Sequence, residues 1–467
     1  MDTIGDHAIV LGASVGGLLA ARALADAYRA VTVVERDVLP DGAENRRGVP
    51  QGRHGHTLLP RGAQIADELF PGILDELVAD GAPTIPGDDL SALYFVAGGH
   101  LMARSGALRD RRITYVPSRP LLERHIRRRV RAIPNITVLD GHSVGDLTTT
   151  PDRHRVTGVQ VGSREGVRTL TADLVVDAMG RGARTPAHLE RFGYGRPTEE
   201  HVRVHVTYRS QLFRLPSHVL SEKIVLVGAR AGRPTGMALL GYENDTWLFT
   251  ASGMMGHEPP CDRTDMIDFV EPFTPGHVVA ALRAAEPLGD VAQHKFPSSR
   301  WRHYEQMRRF PDGLLVFGDA ICSFNPLYGQ GMTVAAIEAT TLGRCLRRGD
   351  HELSRRFFRA AAKPIGVAWQ LAVGSDLALP EVEGPRTVRT RLDNAYVGRI
   401  LAAAENDPVV VDRFLRVSSL IDPPSHLFHP ALVGRVCAGN LRRHRKADGA
   451  SAAIPDERRK SFLTARR

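Results

Sequence analysis

The stretch 7–35, HAIVLGASVGGLLAARALADAYRAVTVVE, decides the fold of this chain. It opens with a short run of apolar, β-forming residues and continues through the glycine turn GASVGG at 12–17 into an Ala/Leu-rich segment. It then closes with a second strand-like run that ends on Glu35. This order of strand, turn, helix and strand is a βαβ unit, the smallest piece of a doubly wound nucleotide-binding α/β fold.

The glycine turn, Gly12-x-Ser14-x-Gly16-Gly17, has the residues that a dinucleotide pyrophosphate requires. Gly12 permits the tight turn, the small Ser14 lets the backbone approach the phosphates, and Gly17 lets the helix pack closely on the strand. The helix N-terminus offers free N–H groups and a partial positive charge. Glu35, 18 residues after Gly17, is placed to accept hydrogen bonds from ribose hydroxyls. We therefore predict dinucleotide binding, and a glycine turn of an unrelated α/β sheet is the alternative.

A second glycine-rich stretch, GDAICSFNPLYGQGM at 318–332, follows the buried strand-like run 313–317. Asp319 suits the sugar-alcohol chain of a flavin. The helix that begins near Met332 would direct its positive end at the flavin pyrimidine ring. An Asp that only caps this helix is the alternative. The proline and the Gly-Gln-Gly at these offsets favour the cofactor contact.

Together these two stretches resemble the class A flavoprotein monooxygenases of the aromatic-hydroxylase fold, over residues 7–348. The loop RRGVPQGRHGH at 46–56 and the segment 207–216 are similar to squalene-epoxidase-like enzymes and to polyene epoxidases of polyether pathways. The resemblance implies an FAD-dependent oxidoreductase that inserts one oxygen atom from O2, through a flavin C4a-hydroperoxide. Its substrate would be a lipophilic polyene, polyketide or aromatic molecule, epoxidised or hydroxylated.

The resemblance also implies which residues contact the cofactor. Beside Glu35 and the turn residues Gly12, Ser14, Gly16 and Gly17, they are Arg119, Val144, Asp319, Pro326, Gly329, Gly331 and Met332. Arg36 and Arg46 are further candidates, with a solvated loop arginine as the alternative for each. Tyr208, Phe213 and Trp247 are candidates for the substrate pocket, and the ordinary core of the substrate sheet is the alternative for all three.

One departure from the family pattern concerns electron supply. Family members carry an Asp-Gly pair after the strand at 172–176, but here Met179 precedes Gly180. Asp177 is the candidate to compensate. The electron source is therefore either NADPH acting directly or a separate flavin reductase.

The expected architecture is α/β, with a discontinuous Rossmann-like FAD-binding domain, an inserted mixed β-sheet substrate domain and a helical C-terminal region. The FAD-binding domain is expected at 5–75, 113–195 and 286–348, the substrate domain at 76–112 and 196–285, and the helical region at 349–440. Residues 441–467 hold nine Lys and Arg against three Asp and Glu, and we expect a basic disordered tail.

Composition excludes several classes of protein. The 467 residues are 43% hydrophobic, enough for a full core. The four cysteines are scattered, and His54-x-His56 has no partner set, so we expect no disulfide scaffold, no metal site and a reducing cytoplasm. No apolar run reaches the ~18 residues of a membrane helix. With a net charge of +9, weak contact with an anionic membrane surface is an option for the tail, and no nucleic-acid partner is expected.

Three alternatives stay open for function, and the last of them is nucleic-acid binding by the arginine-rich helix within 109–131. A prenyl-chain reductase of the same fold would saturate double bonds without consuming O2. A flavin-binding or lipid-binding protein without turnover would use the basic tail as its working part.

Overall fold

The computed structural model describes residues 3–452, and the side chains of residues 3–443. The strands, β1 to β18, are Gly5–Leu11, Tyr28–Val34, Thr84–Ile85, Leu93–Ala97, His100–Leu101, Thr114–Tyr115, Ile136–Leu139, Ser143–Thr149, Val156–Ser163, Gly166–Thr171, Leu174–Asp177, Glu199–Arg214, Ile224–Val227, Thr235–Gly241, Thr246–Gly253, Glu286–Arg302, Leu314–Val316 and Cys322–Ser323. The helices, α1 to α12, are Val15–Ala25, Pro60–Leu69, Ile73–Ala79, Arg119–Arg131, Thr185–Arg191, Arg263–Val270, Gly276–Ala284, Gly331–Leu346, Leu353–Leu377, Val388–Ala404, Pro408–Ser418 and Pro430–Ala452.

The predicted βαβ unit is β1, α1 and β2. These strands lie in a five-stranded parallel sheet with the order β17-β11-β1-β2-β7. Both faces of this sheet are covered, so residues 8–11 of β1 and 174–176 of β11 are continuous runs of buried apolar residues, as in parallel strands. The sheet and the helices around it form the largest hydrophobic core of the molecule.

The substrate-side sheet has eight strands in the order β18-β16-β12-β15-β14-β13-β4-β5. All neighbours are antiparallel except β13 and β4, so the sheet is mixed, as expected. One boundary differs from the prediction. Strand β16, 286–302, was expected in the FAD-binding domain, but it pairs along β12 and belongs to this sheet. Helices α6 and α7 cover the outer face of the sheet and enclose a second core.

The C-terminal region is helical, from α9 to α12. Helices α10, α11 and α12 enclose a small core of their own with residues of the segment 90–108. The structure corrects the start of the predicted tail, because α12 continues to Ala452 and the backbone of residues 441–452 is helical. The remainder of that prediction, 453–467, lies outside the described residues. Within residues 3–452 no helix combines the length and the hydropathy needed to cross a bilayer.

Candidate functional site

A large cavity lies between the carboxyl edge of the parallel sheet, the eight-stranded sheet and the C-terminal helices. Its volume is about 1880 Å³, roughly twice the ~1,000 Å³ at the upper end for ligand pockets. Every predicted cofactor residue except Gly17 lies on its wall: Gly12, Ser14, Gly16, Glu35, Arg36, Arg46, Arg119, Val144, Asp319, Pro326, Gly329, Gly331 and Met332. The fold therefore brings residues from six separate stretches of sequence to one surface.

The glycine turn shows why glycine is required at two of its positions. Gly12 has a φ of +99°, a conformation that residues with a side chain rarely adopt. A Cβ atom on Gly17 would lie 1.9 Å from the carbonyl oxygen of Gly12, so only glycine lets α1 begin this close to β1. Gly17 thus shapes the turn from behind the cavity wall.

Helices α1 and α8 begin at the cavity without a side-chain cap at their N-termini. The N-cap residues of α1 and α8, Ser14 and Gln330, make no side-chain capping bond. By contrast, α4 is capped by Ser118, whose hydroxyl accepts a hydrogen bond from Leu121 N at 3.2 Å. Free N–H groups at a helix start carry partial positive charge and bind anionic or polar groups. Both uncapped helix ends therefore offer donors to a ligand in the cavity.

A buried network of charges surrounds the start of α1. Arg46 pairs with Glu35 at 3.1 Å and with Glu123 at 3.3 Å, and Arg119 pairs with Glu123 at 2.7 Å. Arg119 also donates to Ser14 Oγ at 2.9 Å, which attaches α4 to the glycine turn. Burial alone would raise the pKa of Glu123. The charges of Arg119 and Arg46 outweigh burial and hold that pKa below its ordinary value.

Glu35 fixes the other side of the turn. Its carboxylate accepts hydrogen bonds from Ala13 N at 2.9 Å and from Asp37 N at 3.1 Å, and it lies on the cavity wall at the end of β2. Arg46 is therefore buried and paired rather than a solvated loop residue, whereas Arg36 is exposed at the cavity rim.

Asp319 presents an unpaired carboxylate to the cavity. Among the described residues no hydrogen bond engages it, and its surroundings raise its pKa by desolvation. It lies three residues after the end of β17. The cavity-lining turn Pro326–Tyr328 and Gly329, which has a φ of +66°, then lead into α8. A negative group facing an enclosed space beside an uncapped helix suits a ligand that carries hydroxyl groups.

These observations meet the requirements of FAD. The glycine turn admits a close backbone approach, both uncapped helix ends supply N–H donors, and Asp319 and Glu35 supply acceptors on the same wall. The residues present therefore fit a dinucleotide with a long polar chain.

The opposite side of the cavity, where we place the substrate below, is mostly apolar, although Arg230, Arg389 and Asp393 also lie on it. The sheet contributes Leu93, Phe95, Ile224, Leu226, Met237, Leu240 and Phe296, and the C-terminal helices contribute Trp369, Leu371, Tyr396, Leu401 and Phe414. Of the predicted pocket residues, Tyr208 lies on this wall.

Phe213 and Trp247 do not lie on this wall, which corrects that part of the prediction. Because side chains alternate along a strand, Phe213, five residues after Tyr208 on β12, points to the opposite face. Trp247 pairs directly with Phe213 and so shares that face. Both pack in the core under α6 and α7.

Three aromatic rings form a polar cluster on this mostly apolar wall. The ring centroid of Tyr208 lies 4.7 Å from that of His54 and 5.2 Å from that of His294. His54 Nδ1 lies 2.9 Å from Ser210 Oγ, which lies 2.7 Å from Thr250 Oγ1. We refer to His54, Tyr208 and His294 as the ring cluster.

The ring cluster is uncharged at neutral pH. Burial, reinforced by the neighbouring His294, lowers the pKa of His54 to about 3. Burial and the charge of Arg181 lower the pKa of His294, and burial raises the pKa of Tyr208. The cluster therefore offers neutral donors and acceptors rather than a charge.

Met179 lies on the cavity wall, but Asp177 does not. The Asp177 carboxylate is buried, accepts a hydrogen bond from Met179 N at 3.1 Å and is bonded by the hydroxyl of Thr185. Asp177 therefore stabilises its own loop and does not replace the missing acid on the cavity wall. Beside Gly180 the wall presents the thioether of Met179 instead of a carboxylate.

Two site residues escaped the sequence analysis as functional candidates. Glu123 lies four residues after Arg119 on α4, a helical pairing distance that could have revealed it. The sequence does favour a place beside the flavin, rather than a metal site, for the loop residues His54 and His56. His294 lies on β16, which was assigned to the other domain, and no local signal marks it.

Comparisons with known proteins agree with this geometry. The family model described as FAD binding domain matches residues 7–348. Protein Rv3254 of Mycobacterium tuberculosis is 40% identical over 454 residues, which is 94% of each chain.

Two solved structures share the fold at low identity. The p-nitrophenol 4-monooxygenase PnpA of Pseudomonas putida has a TM-score of 0.64 and 16% identity over 90% of this chain and 99% of its own. The flavin-dependent brominase Bmp2 has a TM-score of 0.65 and 15% identity over 94% and 100%. The predicted family is therefore confirmed: the chain belongs to the FAD binding domain family of class A, aromatic-hydroxylase-like flavin monooxygenases.

Proposed function

We propose that FAD lies along the cavity wall from Glu35 to α8. Glu35 would hold the ribose, the uncapped start of α1 with Arg119 and Arg46 would hold the pyrophosphate, and Asp319 would hold the sugar-alcohol chain. Val144 would contact adenine through its backbone, and Arg36 would lie at the same end. The main support for this proposal is the Asp319 carboxylate. It faces the cavity without a hydrogen-bond partner among the described residues, so it is free to accept hydrogen bonds from the hydroxyl groups of a ligand.

Pro326, Gly329, Gly331 and Met332 would surround the flavin ring. The amides at the start of α8 would then face the pyrimidine edge, where they stabilise negative charge in the reduced cofactor. Reduced FAD supplies the activation of O2 and the oxygen atom to be inserted. The chain itself binds the two molecules, orients them and excludes water from the space between them.

We further propose that the substrate is lipophilic and is epoxidised or hydroxylated by one oxygen atom. The cavity volume supports this, since about 1880 Å³ leaves room for a second molecule beside a cofactor. The apolar wall of the eight-stranded sheet and the C-terminal helices supports a hydrophobic ligand. The ring cluster would hold one uncharged polar group of that ligand and so set which atom faces the flavin.

Electron supply is the least constrained part of the proposal. Because Met179 occupies the place of the expected acid and Asp177 is engaged elsewhere, we propose that a separate flavin reductase delivers electrons better than NADPH acting directly. NADPH as the direct donor is the competing form of the same proposal.

One experiment tests the reaction. Purified protein with its flavin would be incubated with a panel of polyenes and phenols under ¹⁸O2, supplied either with NADPH or with a flavin reductase and NADH. We expect one ¹⁸O atom in a product. A saturated product without O2 consumption would indicate the prenyl-chain reductase, and a colourless protein that binds no added FAD would indicate a non-catalytic role.

A further inference from the structure

Helix α9 places one buried carboxylate against the second glycine-rich loop. Asp376 is the penultimate residue of α9 and is fully buried. Its Oδ1 accepts hydrogen bonds from Asn325 Nδ2 and from the Tyr328 hydroxyl, both at 2.8 Å. The family match ends at residue 348, so this carboxylate comes from a part of the chain that the FAD binding domain does not include.

The two donors flank the cavity-lining turn Pro326–Tyr328. Asn325 precedes the turn and also accepts a hydrogen bond from Leu327 N at 3.2 Å, and Tyr328 ends it. Asp376 thus fixes both ends of the turn with a single oxygen atom. Immediately afterwards come Gly329 and the uncapped start of α8, so the position of the turn determines where those amides point.

The second oxygen of Asp376 indicates more than a packing role. Oδ2 is buried and has no hydrogen-bond partner among the described residues. Burial raises the pKa of this carboxyl to about 7, while the bonds from Tyr328 and Asn325 act in the opposite direction. An unsatisfied buried oxygen is destabilising, so a residue needed only for packing would be better apolar.

The same helix lines the substrate side of the cavity. Trp369, Leu371 and Leu377 of α9 lie on that wall, and Leu377 is adjacent to Asp376 in sequence. A ligand that contacts α9 therefore contacts the element that holds the loop.

We infer that Asp376 is a positioning residue for FAD: through Asn325 and Tyr328 it sets the loop 324–331 and links the substrate wall to the flavin. This inference rests on the proposed placement of the flavin beside that loop. Asp376 acts through the loop and does not itself contact the cofactor.

The test uses the FAD-loaded full chain with three variants. Asp376→Leu removes the acceptor, Asp376→Asn keeps one oxygen acceptor of the same size, and Asp412→Asn alters an equally buried carboxylate of α11 that pairs with Arg112 instead. The readouts are the Kd for FAD, the visible flavin spectrum and the flavin midpoint potential, with thermal unfolding as the measure of folding.

We expect Asp376→Leu to weaken FAD binding by roughly tenfold, because two buried donors lose their acceptor. We also expect a shifted potential and a flavin spectrum closer to that of free FAD. Asp376→Asn should largely rescue all three readouts, and Asp412→Asn should leave them unchanged.

A folded Leu variant with the wild-type spectrum, potential and Kd would overturn the inference. If the Leu variant does not fold, Tyr328→Phe removes one bond of the pair without burying a new group. Its Kd and spectrum should then move in the same direction, and unchanged values would refute the role. A wild-type chain that binds no FAD would instead refute the proposed function.

Discussion

The two walls of the cavity are built in opposite ways. The cofactor wall is charged. Most of its charges pair with one another, as Arg46 does with Glu35 and Glu123, while the Asp319 carboxylate stays unpaired among the described residues. The substrate wall is mostly apolar, with the charged residues Arg230, Arg389 and Asp393 also on it, and its ring cluster is neutral. The first wall comes from glycine turns and short motifs. The second comes from distant strands and from helices beyond the family match. The difference is consistent with the proposed placement of a charged cofactor on one side and a lipophilic substrate on the other.

The largest expected effect is on the cofactor wall, at Gly17. In Gly17→Ala the new methyl group would lie 1.9 Å from the carbonyl oxygen of Gly12, so β1 and α1 must separate. We expect purified protein without flavin, measured by the ratio of visible to ultraviolet absorbance. Gly276→Ala is the control, because a methyl group there meets no atom within 4 Å. Normal flavin content in Gly17→Ala would show that the turn does not bind the cofactor.

The next effect measures how strongly the charges of the cofactor wall depend on one another. Arg46→Met leaves Glu35 and Glu123 buried with fewer partners, and we expect a loss of about 3 kcal/mol in the free energy of unfolding. Arg283→Met removes exposed pairs with Asp268 and Glu271, and its loss should be clearly smaller because solvent screens these charges. Denaturant unfolding measures both. Equal losses would mean that the buried network contributes no more than a surface pair.

The third prediction concerns the source of electrons for the flavin and the role of Met179, which lies on the cavity wall. We expect NADPH to reduce the bound flavin slowly, because a misplaced hydride donor can cost on the order of 10²-fold in rate. A separate flavin reductase should restore turnover, and Met179→Asp should accelerate direct reduction. Anaerobic stopped-flow bleaching of the flavin measures the rate. Fast bleaching of the wild-type flavin by NADPH would show that the protein accepts electrons from NADPH directly and needs no separate reductase.

Much of the cofactor wall could be predicted because its determinants are local. Gly12, Gly17 and Glu35 lie within one βαβ unit, and their spacing fixes their relation in space. The N-cap at Ser118 was also predictable, since Pro120 follows it and the helical stripe begins there. Such features need only the chain within a few turns of the residue concerned.

The substrate wall could not be predicted in the same way. Whether Tyr208 or Phe213 faces the cavity depends on which face of the sheet α6 and α7 cover, and the sequence of β12 does not contain that information. For the same reason the sequence could not show that β16 belongs to the eight-stranded sheet, because its partner strand β12 lies almost ninety residues earlier. Asp376 lies in an ordinary helix, and only tertiary packing brings it to the loop at Asn325.

Lowering the pH should separate the contributions that the two walls make to the free energy of unfolding, because their titratable groups take up protons at different pH values. His54 has a folded-state pKa of about 3, below its unfolded value of about 6.5. The contribution of neutral His54 to the free energy of unfolding is therefore complete above about pH 6.5 and is lost as the pH falls toward 3. The pKa of Glu123 is lowered from that of an ordinary carboxyl, so its contribution is lost only at lower pH, below about 4.5.

We expect His54→Gln to reduce the slope of unfolding free energy against pH, between pH 4 and 6, by about one proton, or ~1.4 kcal/mol per pH unit. His154→Gln alters an exposed histidine and is the control. Denaturant unfolding at several pH values gives both slopes. An unchanged slope in His54→Gln would mean that this histidine is not held neutral in the folded chain.

The smallest expected effect lies within the ring cluster, at the Tyr208 hydroxyl. Tyr208→Phe keeps the ring, its packing and the strand, and removes only a hydroxyl on the cavity wall. If that hydroxyl bonds a polar group of the substrate, we expect KM for the substrate found in the ¹⁸O2 screen to rise several-fold, since a neutral hydrogen bond contributes about 1 kcal/mol. FAD content should not change.

Tyr304→Phe is the matched control, because it also removes one buried hydroxyl, from a residue that is not on the cavity wall. Equal KM values for Tyr208→Phe and wild type would leave the apolar surface alone to select the substrate. A loss of flavin in Tyr208→Phe would be a stronger contradiction, because a residue assigned to the substrate wall would then contribute to cofactor binding. A rise in KM confined to Tyr208→Phe would instead assign orientation of the substrate to the neutral rings and leave cofactor binding to the charged wall opposite.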